Sequence, residues 1–177
     1  DRTRIRELTE REEEKLNSRT QKSKEMFERA SEHLSGGVAS SYQLREPWPI
    51  YMERGTGPMV WDVDGNEMYD FHNGFGSMVQ GHANPAIGKV VQARYEQGTH
   101  FAAPTEDAIV VGDELARRWD IPKWRYTNSG SEATMDAIRI ARGFTGRDDV
   151  MKIFGSYHGH HDTVMVSIGV EYDKIGD

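Results

Sequence analysis

Cysteine is absent from the 177 residues, so no disulfide and no thiolate chemistry can arise within the chain. Long apolar runs are absent as well, and nothing approaches the roughly 20 residues needed to span a bilayer. Basic residues are in deficit, 22 Lys and Arg against 29 Asp and Glu, for a net charge of -7. That balance argues against a general binder of nucleic acid or of anionic membranes. It leaves room for a local pocket that takes a single phosphate. The opening run DRTRIRELTEREEEKLN is too charged for a secretory signal, so a soluble, cytoplasmic protein is expected. The chain starts at Asp1 and stops at EYDKIGD with no closing element, which suggests a fragment of a longer product.

What is present divides into three segments. Residues 4–34 lack Pro and Gly and are rich in Glu, Arg and Lys, which predicts a helix. Its apolar stripe is short, Met26, Phe27, Ala30 and Leu34, and Gly36-Gly37 closes it. A solvated arm spanning 1–35 is expected. Over 36–75 the period changes: Ile50 to Met52, Met59 to Trp61 and Met68 to Phe71 read as short strands. The Asp64-Gly65 pair between the last two is a hairpin signal, so a small antiparallel meander is expected. From 76 to 177 helices and strands alternate. Asn84 with Pro85 predicts a helix start, with Ile87, Val90, Val91 and Tyr95 as its buried face. A second helix starts near Thr105, with Ile109, Val110, Leu115 and Trp119 as core candidates. Then come a strand at 123–127, a helix, and a strand at 150–154. Strand, helix, strand predicts a βαβ unit and a parallel sheet.

In such sheets ligands sit beyond the carboxyl ends of the strands, and both ends here carry unusual loops. The first is NSGSE. Ser129 and Glu132 fit a capping box, and Ala133, Ala137 and Ala141 let the following helix pack closely, so the helix explains itself. Gly130 does not. A glycine in a first turn weakens a helix by up to about 1 kcal/mol relative to alanine. It also lets a ligand reach the free amides, where the helix dipole favours an anion and the Ser129 and Ser131 hydroxyls add donors. An ordinary cap and a phosphate site both remain open on these residues alone.

The second loop is GSYHGHHD. Tyr157, at a strand end, can stack on a flat ring, and His158 beside it can hydrogen-bond or carry a proton. The same residues could instead simply fill a turn. His158, His160, His161 and Asp162 also suggest a metal-dependent hydrolase, but the spacing misses the HxHxDH pattern and neither HExxH nor paired cysteines occur. No metal site is therefore expected, and the hydrolase stands as an alternative.

Together the loops carry a resemblance. The run NSGSEATMDAIRIARGFTGRDDVMKIFGSYHGHHD resembles the class III pyridoxal-phosphate (PLP) aminotransferases, nearest to their glutamate-1-semialdehyde aminomutase branch. It extends back through HFAAPTE, GHANPAIGKVV and PIYMERGTGPMVWDVDGNEMYDF to LSGGV, so it covers nearly everything after residue 34. The resemblance implies an α/β, aspartate-aminotransferase-like fold (fold type I), with 76–177 as the incomplete start of the large PLP-binding domain. It implies a homodimer with active sites at the interface. It implies that Gly130 and Ser131 amides hold the cofactor phosphate with Ser129 close by, that Tyr157 stacks on the pyridine ring, and that His158 lies beside it.

Two positions depart from the aminomutase pattern. Where that branch carries an arginine for the substrate carboxylate, this chain has Gln43, which cannot make a bidentate charged contact, with Arg45 two residues on. Where it carries a pocket tryptophan, this chain has Phe75. The departures favour a transaminase working between an amine or amino acid, β- and ω-amino acids included, and a keto acid. Tyr42 and Phe75 are the candidates for the substrate wall. The aminomutase, an isomerase, is the alternative, and a truncated, non-catalytic scaffold is a third reading. None of Lys15, Lys22, Lys24, Lys89, Lys123, Lys152 and Lys174 sits in the family's Schiff-base context. By resemblance that lysine and the acidic partner of the pyridine nitrogen are expected downstream, so no catalytic residue is assigned.

Overall fold

The computed structural model describes residues 2–169. Lys174 and the closing EYDKIGD lie outside the described residues. The chain forms two compact units, one running to His100 and one beginning at Phe101. No helix among the described residues is long and apolar enough to cross a membrane.

In the first unit the expected single helix is two, α1 (Arg2–Ser18) and α2 (Gln21–Ser31). The break follows from side chains that bond back to the main chain. Ser18 Oγ donates to Lys15 O, and Thr20 Oγ1 donates to Leu16 O, each at 2.9 Å. Such bonds compete with the helical ladder and favour a stop. α1 has no buried residue, as a solvated arm should. α2 is different, because its start is buried: Thr20 and Ser23 are nearly inaccessible.

The meander follows as β1 (Met52–Thr56), β2 (Met59–Asp62) and β3 (Glu67–Tyr69), all antiparallel in the order β1-β2-β3. β1 takes only Met52 of the first apolar run and ends four residues past it, β2 keeps the second run and adds Asp62, and β3 starts one residue before the third run and ends two short of Phe71. The β2–β3 turn does more than reverse the chain. Asp64 Oδ1 accepts from Lys22 N at 2.7 Å, and its Oδ2 accepts from Ser23 N at 3.0 Å and Ser23 Oγ at 2.9 Å. The N-cap residue of α2, Thr20, makes no capping bond of its own. A carboxylate 41 and 42 residues further along the chain therefore satisfies the first-turn amides that a local cap would otherwise satisfy. Asp62, also buried, braces the turn by accepting from Asn66 N and Asn66 Nδ2, each at 2.7 Å. Trp48 Nε1 donates to Thr20 Oγ1 at 3.0 Å and closes the junction from the other side.

After β3 come a single turn α3 (Asn73–Gly76) and the helix α4 (Pro85–Tyr95). Asn84 caps α4 as its sequence suggests, its Oδ1 accepting from Ala86 N at 3.0 Å. The second unit holds α5 (Glu106–Trp119) and α6 (Gly130–Thr145). Thr105 stands at the start of α5 without a side-chain capping bond.

Two sets of expectations fail here. Segments 123–127 and 150–154 have no strand pairing among the described residues. A strand exists only with a partner that takes its N–H and C=O groups, and consecutive strands of a parallel sheet need not be each other's neighbours. The core candidates on α4 and α5 are likewise uncovered: Ile87, Val90, Val91, Tyr95, Ile109, Val110 and Trp119 are all exposed, and Leu115 is only half-buried. Periodicity marks a face that seeks cover; it does not supply the covering element.

Candidate functional site

The second unit brings the two loops together at the start of α6. Ser129 is extended (φ -152, ψ 162) and its Oγ accepts from Glu132 N at 3.2 Å, the expected N-cap bond. The reciprocal half of the capping box is altered. The Glu132 carboxylate accepts from Asn128 N at 2.6 Å instead of from Ser129 N. It holds the residue ahead of the cap, which fixes the entry of the chain into the helix. At the far end Gly146 adopts φ +67 and its N–H returns to Arg142 O, which is the left-handed stop a glycine allows.

The second loop docks on this start. Gly159 has φ +116, and a Cβ there would sit 2.8 Å from Ser131 Cα. Only glycine allows that approach. His160 N then donates to Ser131 Oγ at 2.9 Å. Thr134, one turn into α6, ties the loop down from below: its Oγ1 lies 2.6 Å from His158 O and 3.2 Å from His161 Nε2. Sequence reasoning missed Thr134 and Gly159. Their signal was the fixed distance along the chain between two glycine-containing loops, which says nothing until the loops meet.

Two features make the start of α6 suitable for an anion. The amides of Gly130 and Ser131 have no acceptor among the described residues, and a Cβ on Gly130 would meet nothing within 4 Å. The amides thus lack a protein acceptor at the positive end of a helix dipole, and no side chain on residue 130 obstructs a ligand. The hydroxyls of Ser129 and Ser131 each accept from a backbone N–H, and each keeps its own proton to donate. Capping and anion binding are compatible here, since the cap uses the lone pairs and the ligand would use the proton. Tyr157 is 64% exposed, with its ring free to stack. His158 Nε2 lies 3.0 Å from Ser156 Oγ.

That last contact bears on the hydrolase alternative. His158 turns to Ser156 and His161 to Thr134, and no group of three or more His, Asp or Glu side chains converges as a metal set among the described residues.

The two substrate-wall candidates lie in the first unit, and they touch. Tyr42 and Phe75 meet edge to face with ring centroids 5.3 Å apart, and His72 packs on Phe75 at 4.1 Å. Gln43 is occupied locally: its Oε1 accepts from Ser40 N at 3.1 Å. Arg45 folds back on its own loop, with Nη1 donating to Leu44 O at 2.7 Å and Tyr42 O at 3.1 Å.

Comparison with known proteins identifies the family. The sequence pattern of the family described as "Aminotransferase class-III" matches residues 41–174. The glutamate-1-semialdehyde 2,1-aminomutase of Methanocaldococcus jannaschii is 44% identical over 149 residues, which is 84% of this chain and 35% of that protein. A solved transaminase with PLP bound is 37% identical with a TM-score of 0.78, over 82% of this chain and 34% of that one. A glutamate-1-semialdehyde aminomutase from Pseudomonas aeruginosa is 30% identical with a TM-score of 0.83, over 90% of this chain and 36% of that one. The chain thus spans between 34% and 36% of the length of these relatives.

Proposed function

The chain belongs to the class-III aminotransferase family, with the α/β fold type I architecture of PLP enzymes, and we propose that it forms the phosphate cradle and part of the substrate wall of a transaminase. The observation that carries this reading is the open start of α6. Within residues 129–131 lie two amides without an acceptor among the described residues and two hydroxyls that each keep a proton to donate, and residue 130 carries no side chain.

In this reading Ser129, Gly130 and Ser131 hold the PLP phosphate, Tyr157 stacks on the pyridine ring, and His158 sets the edge of the ring site. Bound PLP supplies an electron sink for loss of a carbon-bound proton. The residues of this chain bind and orient; they move no proton on the substrate. The lysine and the acidic partner of the pyridine nitrogen belong to the remaining two-thirds of the family's length. The substrates are an amine or amino acid donor and a keto acid acceptor, and the working form is a cytoplasmic homodimer with active sites at the interface. Residues 1–35 serve as an arm, 36–75 as the antiparallel segment, and 76–177 as the start of the PLP-binding domain.

The aminomutase is the second reading, favoured by the name of the Methanocaldococcus relative. Against it stand Gln43 and Arg45, both engaged by their own loop, so that neither presents a free clamp for a carboxylate. Offering amino donors with pyruvate or 2-oxoglutarate separates the two, because only a transaminase releases a keto product. The cradle itself is tested by Gly130→Val in the complete protein. PLP affinity should fall about 100-fold, the worth of one or two charge-assisted hydrogen bonds. Unchanged affinity would return this stretch to a plain helix cap.

A further inference from the structure

Phe75 sits in a turn the chain does not adopt readily. Asn73, Gly74 and Phe75 have φ of +51, +53 and +55, three successive left-handed residues of which two carry side chains. Such backbone is costly and persists only where its surroundings hold it. The hold is visible. Asp70 Oδ1 accepts from His72 N at 3.0 Å and from Asn73 N at 2.8 Å, which fixes the entry to the turn. Its other oxygen, Oδ2, lies 2.7 Å from His82 Nε2. Asp70 is itself anchored, since its N–H donates to Pro58 O at 2.8 Å.

His82 is held in turn by β1 and the residue after it. It exchanges two backbone hydrogen bonds with Gly57, at 2.8 and 2.9 Å. Its ring lies directly on Gly55, where a Cβ would come within 2.6 Å of His82 Cγ. The side chains of Asp70 and His82 are 14% and 25% exposed, so the pair is largely shielded from water. Glu53, Arg54 and His72 line the same cavity. Arg54 is drawn off over the Trp61 ring at 3.6 Å, which leaves His82 as the partner of the Asp70 carboxylate.

We propose that Asp70 and His82 form a positioning dyad that sets the Phe75 side of the substrate wall. The chain of contacts runs from β1 to His82, to Asp70, to the His72 and Asn73 amides, and so to the Phe75 ring against Tyr42. The proposal rests on the reading that Phe75 faces substrate. Neither member of the dyad touches substrate; each acts through the turn.

The test uses the complete, PLP-loaded protein with His82→Leu, Asp70→Asn and His82→Gln, followed by steady-state kinetics and amide hydrogen exchange. His82→Leu and Asp70→Asn should raise KM for the amino donor about tenfold, as a small misplacement of a substrate-positioning group does, with kcat and PLP affinity changed less than about twofold. Exchange should quicken at residues 71–77 and stay unchanged over β1 and β2. His82→Gln, which keeps an N–H donor in reach of Asp70, should recover most of the KM. The dyad is overturned if KM stays put in a folded Asp70→Asn protein, if exchange at 71–77 does not respond, or if Gln is no better than Leu at position 82. Loss of protection throughout the unit in these variants also overturns it, because that marks a purely structural role. A wild-type protein that binds no PLP would sink the functional reading instead, and the exchange result still decides whether the dyad holds the turn.

Discussion

The N-termini of α2 and α6 pose the same physical problem and receive different answers. Both leave first-turn amides at the positive end of a helix dipole. At α2 the chain brings its own anion, since the Asp64 carboxylate accepts from Lys22 N and Ser23 N, and the junction around it is buried. At α6 the only side-chain acceptor on a first-turn amide is a serine hydroxyl, while the Glu132 carboxylate turns back to Asn128 N ahead of the cap. Ser129 satisfies the amide of Glu132, and those of Gly130 and Ser131 have no acceptor among the described residues. In the proposed reading the difference separates a structural use of the helix start from a ligand-binding one. A site meant for an external phosphate must not be filled from within.

The comparison can be broken most directly by exchanging the answers. Gly130→Asp would place a carboxylate beside the open amides, where Asp64 stands for α2. PLP affinity of the complete protein should fall by more than about 100-fold through like-charge repulsion and lost access, while α6 keeps its stability. Cofactor titration and thermal melting read the two effects separately. A Gly130→Asp protein that still bound PLP normally would place the phosphate elsewhere.

The converse change is Asp64→Ala. It should cost about 1–2 kcal/mol in denaturant unfolding, the worth of a lost N-cap, with PLP affinity unaltered. Its pH dependence sharpens the point. Burial pushes the Asp64 carboxyl up, but hydrogen bonds from the Lys22 amide and from the Ser23 amide and hydroxyl more than offset this, so it titrates below the usual carboxylate range. A carboxyl depressed in the folded state contributes stability that is fully present above its unfolded value and is lost as pH falls through its folded one. The stability gap between wild type and Asp64→Ala should therefore be constant near neutral pH and narrow on acidification. A gap that widened on acidification would mean that the carboxylate is not the capping species.

The smallest effect is expected at Ser129→Ala, where the proposed reading gives one side chain both purposes. Stability should fall by about 1 kcal/mol and PLP affinity by only a few-fold, since the amides of Gly130 and Ser131 remain. If either quantity moved without the other, cap and ligand donor would be different atoms.

Much of this was legible before the fold was known, for reasons that are local. The Asn84-Pro85 start of α4 and the Asp64-Gly65 turn each follow from a few neighbouring residues. The NSGSE stretch announced a helix start with one glycine too many. What was not legible depends on residues distant in the chain. Nothing near Thr20 shows that the cap of α2 would come from Asp64, and nothing near Asp70 shows that His82 would meet it. The exposed faces of α4 and α5 illustrate the same limit from the other side, for the apolar pattern is present and its cover is not among the described residues.

The sequence by itself determined the starts of α4 and α6, the Asp64-Gly65 turn, and which family's motifs it carries, because capping, φ preference and motif spacing are short-range. Only the tertiary structure decided that Gly159 and His160 close over Ser131, that Asp64 fills one helix start while the other stays open, and that Tyr42 meets Phe75. Each of those needs two distant segments to occupy neighbouring space, and hydrogen bonds and ring contacts form only once packing has brought them within reach.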